Sequence, residues 1–230
     1  VGASPTMASH PKEVEEITGA ADSLVVNLGN INEERMQAME IAGAKAHAMG
    51  LPILLDAVGA ACSTLRLEYA KAFIAANRPQ IIKGNSSEIR ALCGLPSHAH
   101  GVDAGAADAI RGTDLAGAAE PFAAYAREHH TVLLITGATD LVTDGRRTLG
   151  VANGTPLLGR LTGTGCMVGA LAGTWHSSGE PFAAAVYMGL AGEVAARGNP
   201  GPGTFHVHLL DALGSLTPDQ VVQGMKIIQA

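Results

Sequence analysis

The stretch "QIIKGNSSEIRALCG", from Gln80 to Gly94, places a strand and a helix next to each other with almost no loop between them. Its first part, "QIIKGN", is apolar and β-branched at the centre, which predicts a buried strand. In the second part, Asn85 is followed three residues later by Glu88, the pattern of a capping box that begins a helix. A buried strand that runs directly into a helix is the repeating unit of an α/β sheet.

The same alternation continues on both sides of this stretch. Further strands are predicted at "SLVVNLG" (23–29), "PILLDAVG" (52–59) and "TVLLITG" (131–137), and a hairpin at "LVTDGRRTLGV" (141–151). Helices are predicted over 33–49 and 67–76, in "GAADAIRG" (105–112) and in "DLAGAAEPFAAYAREHH" (114–130), where Pro121 must start or break a helix. From Cys166 onward the chain is predicted to be almost wholly helical. This order indicates a single domain over 1–230, with a largely parallel sheet and helices on both faces.

The composition excludes several classes of protein. The net charge of −6 argues against a nucleic-acid-binding protein, which normally needs a basic face. No apolar run reaches ~18 residues, so no membrane span is predicted. The three cysteines form no CxxC pair, and their odd number favours a reducing, cytoplasmic environment over a disulfide framework. The first residues also lack the pattern of a signal peptide.

Two acidic residues are candidates for chemistry, because ligands of open α/β sheets bind beyond the carboxyl ends of the strands. Asp56 ends the apolar run "ILLD" and is a candidate metal or phosphate residue, although an aspartate there can also cap the turn. Glu88 is placed where a carboxylate can hold Mg²⁺ through water, although the capping box alone explains it as well.

The glycine-rich run "LTGTGCMVGA", Leu161 to Ala170, is the third candidate. Gly163 and Gly165 permit close backbone approach, and a helix that begins near Gly165 or Cys166 would present free N–H groups to an anion. The plain alternative is a turn in which Thr164 only caps a helix. The spacing is not that of a P-loop, and no lysine follows the glycines.

Taken together, these pieces resemble the hydroxyethylthiazole kinases of thiamin salvage, within the ribokinase-like group. The stretches that carry the resemblance run in order along the chain: "GASPTMA" (2–8), "VVNLG" (25–29), "LLDAVGA" (54–60), "IIKGNSSEI" (81–89), "ITGATDLVTDG" (135–145), "NGTPLL" (153–158), "TGTGCM" (162–167) and "GPGTFHVHLLDAL" (201–213). Most ribokinase-like kinases carry an aspartate after the Gly-x-Gly, whereas this family carries cysteine, as Cys166 does here.

The resemblance implies a three-layer α/β/α fold, commonly a homotrimer with the active site between subunits. It implies phosphoryl transfer from ATP, with Mg²⁺, to 4-methyl-5-(2-hydroxyethyl)thiazole. The thiazole is expected at Met7, Gly29 and Gly163, and the nucleotide at Lys83, Asn85 and Thr136. Asp56 and Glu88 are expected around Mg²⁺ and the phosphates. The run Gly163, Thr164, Gly165 and Cys166 is expected to cradle the transferring phosphoryl group, with Cys166 beside the substrate hydroxyl.

Three departures from the family pattern bear on the site. Lys83 stands where the family usually has arginine, which keeps the charge and loses the bidentate fork. Ala57 stands where the family usually has proline. Family members also generally carry a further segment before "GASP", with a thiazole-contacting asparagine, and we expect that segment to be missing here.

Other functions remain open at this point. The nearest alternative is a ribokinase-like kinase for another small alcohol, such as a hydroxymethylpyrimidine or a sugar. A non-catalytic nucleotide- or thiazole-binding protein is a second, and a lyase or dehydratase on the same sheet is a weaker third.

Overall fold

The computed structural model describes residues 1–110, 115–175 and 181–229. Strands and helices alternate through its first half, as α1 (Val14–Gly19), β1 (Leu24–Asn27), α2 (Glu33–Met49), β2 (Ile53–Asp56), α3 (Thr64–Asn77), β3 (Ile81–Asn85) and α4 (Ser86–Leu92). The second half contains α5 (Leu115–His129), β4 (Val132–Thr136), β5 (Asp140–Thr143), β6 (Thr148–Val151), α6 (Thr164–Trp175), α7 (Phe182–Ala195), α8 (Pro202–Ser215), α9 (Pro218–Gly224) and β7 (Ile227–Gln229). The predicted α/β class is confirmed.

The seven strands form one sheet in the order β1-β2-β3-β4-β5-β6-β7. The first four strands are parallel, and β4 to β7 pair antiparallel, so the sheet is mixed. Because β1 to β4 are parallel, their carboxyl ends meet at one edge. The register there places Asn27 opposite Asp56 and Asp56 opposite Lys83.

Alternating side chains of the strands divide the apolar core between the two faces of the sheet. Leu55, Ile82 and Leu133 pack in one cluster, to which α3 and α5 contribute Phe73 and Phe122. Their strand neighbours Leu54, Ile81 and Leu134 pack in the other cluster, against α6, α7 and α8. Because side chains alternate along a strand, Asp56 and Lys83 belong to the second face, on which α6 lies.

Helix α6 lies unusually close to the sheet because glycine recurs along its inner face. A Cβ added at Gly173 would overlap Val25 of β1, and one added at Gly169 would lie 3.2 Å from Asp56 Oδ2. At Gly165 an added Cβ would lie 3.3 Å from Lys83 Nζ. The helix therefore crosses from β3 at its N-terminus to β1 at its C-terminus, and its first turn lies over Lys83.

Three expectations about the elements need correction. The segment from Cys166 onward, predicted to be almost wholly helical, contains α6 to α9 and also a strand, because Ile227–Gln229 forms β7 and pairs with β6. This edge strand is too short to show a periodic pattern, and Lys226 N, which donates to Asn153 Oδ1 at 2.8 Å, helps to direct it to the sheet. "GAADAIRG" contains only a 3₁₀ turn at Ala106–Asp108, although residues 111 and 112 lie outside the described part. Pro121 lies inside α5 and does not end it.

The short helix α1 was not predicted from the sequence. Its residue Val14 packs with Ala38 and Ala42 of α2, so tertiary contact supports a helix of only six residues. Within the ranges given above, no helix combines the length and apolar character needed to cross a membrane.

Candidate active site

Three polar side chains form a row across the carboxyl ends of β1, β2 and β3. The Lys83 ammonium donates to Asp56 Oδ1 at 2.9 Å, and Asn27 Nδ2 donates to Asp56 Oδ2 at 2.8 Å. Asp56 is 0% exposed and Lys83 is 3% exposed. The strand register explains the row, because each residue is the direct neighbour of the next and all three face α6.

Burial and mutual attraction oppose each other in the pair formed by Asp56 and Lys83. Burial raises the pKa of the Asp56 carboxyl, against the Lys83 charge, the hydrogen bonds from Lys83 and Asn27, and the nearby Cys166 thiol. Burial lowers the pKa of the Lys83 ammonium, but attraction to Asp56, Glu88 and Cys166 together with the hydrogen bond to Asp56 outweighs it, so this pKa is raised overall. The ammonium therefore keeps its proton beneath α6 and provides a fixed positive charge there.

Glu88 is a structural cap and a buried carboxylate at once. Its Oε2 accepts from Asn85 N and its Oε1 from Gly59 N, each at 2.7 Å, while Asn85 Oδ1 accepts from Glu88 N. The predicted capping box between Asn85 and Glu88 is therefore present. Through its bond to Gly59 N, Glu88 also holds the loop after β2. Burial raises the pKa of Glu88, and the two backbone N–H groups and Lys83 oppose that shift.

The N-terminus of α6 presents unbonded backbone N–H groups. The first hydrogen bond of this turn runs from Met167 N to Gly163 O at 2.9 Å. The N–H groups of Thr164, Gly165 and Cys166 precede it and have no acceptor in the described part of the chain. Gly163 has a φ of +98°, a conformation that glycine adopts readily.

Thr164 does not cap this helix. Its hydroxyl donates to the carbonyl oxygens of Leu158 at 3.0 Å and Leu161 at 3.2 Å, and so fastens the preceding 3₁₀ turn. The helix begins at Thr164 itself, slightly before the predicted start near Gly165 or Cys166. The Thr164 hydroxyl therefore does not have the capping role that the plain alternative gave it, and in the described part of the chain it leaves the first N–H groups of α6 without an acceptor.

Cys166 lies at the junction of α6 and the polar row. Its thiol is only partly exposed and lies near enough to the Asp56 carboxyl to lower the pKa of that group. Cys62 is exposed and donates to Gly59 O at 3.4 Å, and Cys93 lies against the apolar core. Cys166 is thus the cysteine that lies beside the buried charges.

Thr136 and Asp140 extend the site to β4 and β5. Thr136 lies opposite Asn85 in the sheet and donates to Gly84 O at 3.4 Å. Asp140 Oδ1 accepts from Gly137 N at 2.8 Å and holds the turn that follows Thr136. Burial raises the pKa of Asp140 to about 7, against that hydrogen bond and the attraction of Lys83.

A hydrogen bond joins Gly29, in the loop after β1, to Asn27 of the polar row, whereas the Met7 side chain is almost fully exposed to solvent. Gly29 N donates to Asn27 Oδ1 at 2.8 Å, which leaves no space for a Cβ because it would lie 2.7 Å from that oxygen. Met7 is 93% exposed on a segment without regular secondary structure. The structure of this chain therefore does not bring Met7 into the cluster of buried polar residues.

Comparison with known proteins places this chain in a family. The sequence profile described as "HK: Hydroxyethylthiazole kinase family" matches residues 1–219. The chain belongs to the hydroxyethylthiazole kinase family. The resemblance stated from the sequence is thereby confirmed, as is the expectation of an ATP-dependent kinase.

Individual hydroxyethylthiazole kinases are similar in sequence to this chain over nearly its whole length. The hydroxyethylthiazole kinase of Desulfotalea psychrophila is 41% identical over 231 residues, which cover 98% of this chain and 82% of that protein. The hydroxyethylthiazole kinase 2 of Clostridium botulinum (strain Langeland) is 40% identical over 230 residues, which cover 98% of this chain and 86% of that protein.

Solved structures support the fold of this hydroxyethylthiazole kinase family member. The structure of the hydroxyethylthiazole kinase protein from Pyrococcus horikoshii OT3 has a TM-score of 0.86 at 36% identity, covering 100% of this chain and 85% of that one. The pyridoxal kinase from Staphylococcus aureus in complex with pyridoxal has a TM-score of 0.53 at 15% identity, covering 81% of this chain and 66% of that one. That second likeness supports the fold alone.

The carboxylates fit Mg²⁺ through water better than by direct contact. The four oxygens of Asp56 and Glu88 each accept a hydrogen bond, and that of Asp56 Oδ1 comes from the Lys83 ammonium, whose positive charge opposes a second cation there. Across 1–110, 115–175 and 181–229, no group of three or more His, Cys, Asp or Glu side chains could hold a metal. Mg²⁺ commonly keeps several waters and binds one or two carboxylates together with substrate phosphates, which suits this arrangement.

The sequence missed three residues of the edge, Asn27, Arg66 and Asp140. Asn27 ends the apolar strand β1 as Asp56 ends β2, and this position at a carboxyl end is the signal that indicates it. Asp140 lies at the start of β5, so the rule that ligands bind beyond the carboxyl ends of strands does not indicate it. Arg66 belongs to α3, and its carbonyl partners are Val58 and the distant Gly29.

Proposed function

We propose that the chain transfers the γ-phosphoryl group of ATP to the primary hydroxyl of 4-methyl-5-(2-hydroxyethyl)thiazole, as in thiamin salvage. The observation that carries this proposal is the position of the Lys83–Asp56 pair directly beneath the free N–H groups of α6. A positive charge and a helix N-terminus that converge on one point form a site for a phosphoryl group. Membership of the hydroxyethylthiazole kinase family indicates which alcohol accepts the phosphoryl group.

Phosphoryl transfer needs positioning and charge stabilisation more than covalent chemistry by the protein. The N–H groups from Gly163 to Cys166 are placed to donate to oxygens of the transferring group, as donors in an oxyanion hole do. The Thr164 hydroxyl bonds the turn before α6, and Gly169 and Gly173 let α6 pack closely on the sheet. These donors are therefore held in position before substrate binds. Lys83 adds charge beneath the same oxygens.

Asp56 and Glu88 would hold Mg²⁺ through water molecules, since their oxygens already accept protein hydrogen bonds. When bound, Mg²⁺ neutralises charge on the ATP phosphates. Asn27 and Lys83 orient the Asp56 carboxylate, and Gly59 and Asn85 orient that of Glu88. The nucleotide itself is proposed to lie toward Lys83, Asn85 and Thr136, at the ends of β3 and β4.

Cys166 is proposed to lie beside the substrate hydroxyl as a weak proton acceptor. An alcohol is far less acidic than a thiol, so proton transfer gains little until the new phosphorus–oxygen bond has largely formed. In a loose transition state such a late proton transfer tolerates a weak base. The thiol lies near the buried Asp56 carboxyl and Lys83 ammonium, at the first turn of α6.

The thiazole is proposed to contact Gly29, Gly163 and Met7. Because Met7 is 93% exposed in the single chain, we propose that a homotrimer brings a second subunit to cover this part of the site. A single kinase domain over 1–230 and a cytoplasmic location complete the proposal.

A panel of alcohols with ADP release as the readout tests this function. We expect ADP formation with hydroxyethylthiazole to exceed that with a hydroxymethylpyrimidine, with ribose and with no alcohol by at least tenfold. Preference for the pyrimidine or ribose would support the neighbouring kinase activity instead. Thiazole binding by calorimetry without any ADP release would support the non-catalytic alternative.

A further inference from the structure

Arg66 joins two loops at the edge of the active site that come from different strands. Its Nη2 donates to Gly29 O at 3.3 Å, in the loop after β1. Its Nη1 donates to Val58 O at 3.4 Å, in the loop after β2. The first loop carries a proposed thiazole contact and the second follows directly on Asp56.

The rest of the Arg66 residue is fixed from two sides. Its backbone N donates to the Ser63 hydroxyl, which caps α3. Its stem lies against Gly59, where an added Cβ would come within 2.9 Å of Arg66 Cδ. Gly59 has a φ of +76° and donates to Glu88, so Arg66 packs on the same peptide that the buried carboxylate holds.

The chemistry of the side chain suits this bridge. A guanidinium carries five N–H donors in a rigid fork, so its two Nη groups can serve acceptors on separate loops. In the described ranges no carboxylate lies within ion-pair distance of Arg66, so no competing ion pair draws its fork away from the two carbonyls. Both acceptors, Gly29 O and Val58 O, are main-chain oxygens. The bridge therefore sets the distance between the backbones of the two loops.

We propose that Arg66 is a positioning residue for the alcohol substrate, because it sets the separation between the Gly29 loop and the Asp56 loop. The proposal rests on the proposed function. Gly29 is a proposed thiazole contact, so a change in this separation moves one wall of the alcohol site and weakens alcohol binding, which raises the KM for the alcohol. A misplacement of the hydroxyl by about 1 Å can in addition lower the rate about 100-fold. Arg66 acts through Gly29 and Val58 and has no contact with the reacting atoms in this account.

The chain offers a matched control at Arg35. Its Nη1 donates to Asn30 O at 2.8 Å, in the same loop after β1, but Arg35 belongs to the helix that directly follows that loop. Arg35→Ala therefore removes an arginine–carbonyl bond to this loop without breaking a link between two strands. Arg66→Ala removes the link itself, and Arg66→Lys keeps charge and stem while it loses the fork.

The test is steady-state kinetics of wild type, Arg66→Ala, Arg66→Lys and Arg35→Ala with ATP and hydroxyethylthiazole. We expect Arg66→Ala to raise the KM for the alcohol at least tenfold, with the KM for ATP changed less than twofold, and Arg66→Lys to show the same split at smaller size. Arg35→Ala should leave both constants within twofold. Guanidinium ion at millimolar concentration should restore part of the alcohol affinity of Arg66→Ala and have no effect on wild type.

The outcomes separate the two proposals. Wild type without alcohol-dependent ADP release would refute the proposed function. Wild-type turnover with equal changes in both KM values, or with none, would refute the role of Arg66. If Arg66→Ala does not fold, Arg66→Lys decides the matter by the same split, together with faster amide hydrogen exchange at residues 28–31 than in Arg35→Ala.

Discussion

The ammonium of Lys83 lies 2.9 Å from Oδ1 of Asp56, and both side chains are almost completely buried under the first turn of α6. The two residues are neighbours in the parallel register of β2 and β3, so the pairing follows from the sheet itself. This contact unites the fold and the proposed chemistry, because it puts a fixed charge below the free N–H groups of the helix.

Removal of Lys83 alone should be costly for the fold. Lys83→Met leaves the Asp56 carboxylate buried without its cation, and breaking such a pair typically costs about 3–5 kcal/mol. Urea unfolding at pH 7 measures the loss. The double variant Lys83→Met with Asp56→Asn should lose clearly less than the sum of the two single variants, whereas strict additivity would show that the contact carries no coupling.

Alanine substitution of two glycines should have opposite effects on the free energy of unfolding, because one lies against the sheet in α6 and the other has free space in α8. Gly173→Ala places a methyl group into Val25 and should lower the free energy of unfolding by about 1–3 kcal/mol. Gly214→Ala in α8, where no atom lies within 4 Å of the added Cβ, should raise it by about 0.5–1 kcal/mol. Thermal unfolding of both variants compares them, and an equal response would argue against the packing described for α6.

Asp140 should make stability depend on pH in a particular direction. Because burial raises its pKa to about 7 in the folded chain, its contribution is complete below the unfolded pKa, near 4, and is lost as the pH rises through 7. Asp140→Asn does not titrate there. The free energy of unfolding of wild type relative to this variant should therefore fall by about 1 kcal/mol or more between pH 4 and pH 8. A constant difference across that range would contradict the prediction.

Cys166 should matter for rate without being essential. Cys166→Ala should lower kcat by roughly 10–100-fold, the scale of a weak general base. Cys166→Asp should remain active, because a carboxylate can accept the same proton. Complete inactivity of a folded Cys166→Ala variant would make the thiol an essential group, and an inactive but folded Cys166→Asp variant would count against its position beside the hydroxyl.

The sequence predicted the part of the site that lies in regular elements. Asp56, Lys83 and Glu88 end or follow apolar strands, and parallel strands bring their carboxyl ends to one edge whatever the exact register. The capping box at Asn85 is a local pattern, so it was also predictable. Gly163 to Cys166 came from local turn chemistry together with the family resemblance.

The remaining contacts join residues that are far apart in the sequence, so no local sequence pattern indicates them. The pairing of Asp56 with Lys83 needs the register of two strands, and Arg66 meets Gly29 across a separation of 37 positions in the chain. Strand β7 is short and at the sheet edge, so pairing and not propensity creates it. Pro121 fits inside α5, contrary to the local rule, because tertiary packing of Phe122 and Ala119 outweighs its cost.

Detection of the phosphorylated product tests the proposed kinase activity without an intermediate step. Purified protein is incubated with ATP, Mg²⁺ and hydroxyethylthiazole and followed by ³¹P NMR, with the thiazole product identified by mass. We predict a new phosphomonoester resonance that grows one-to-one with ADP and requires the alcohol. ADP with inorganic phosphate and no phosphomonoester, or thiazole binding with no ADP at all, would contradict the claim that this edge of the sheet is a kinase site for the thiazole alcohol.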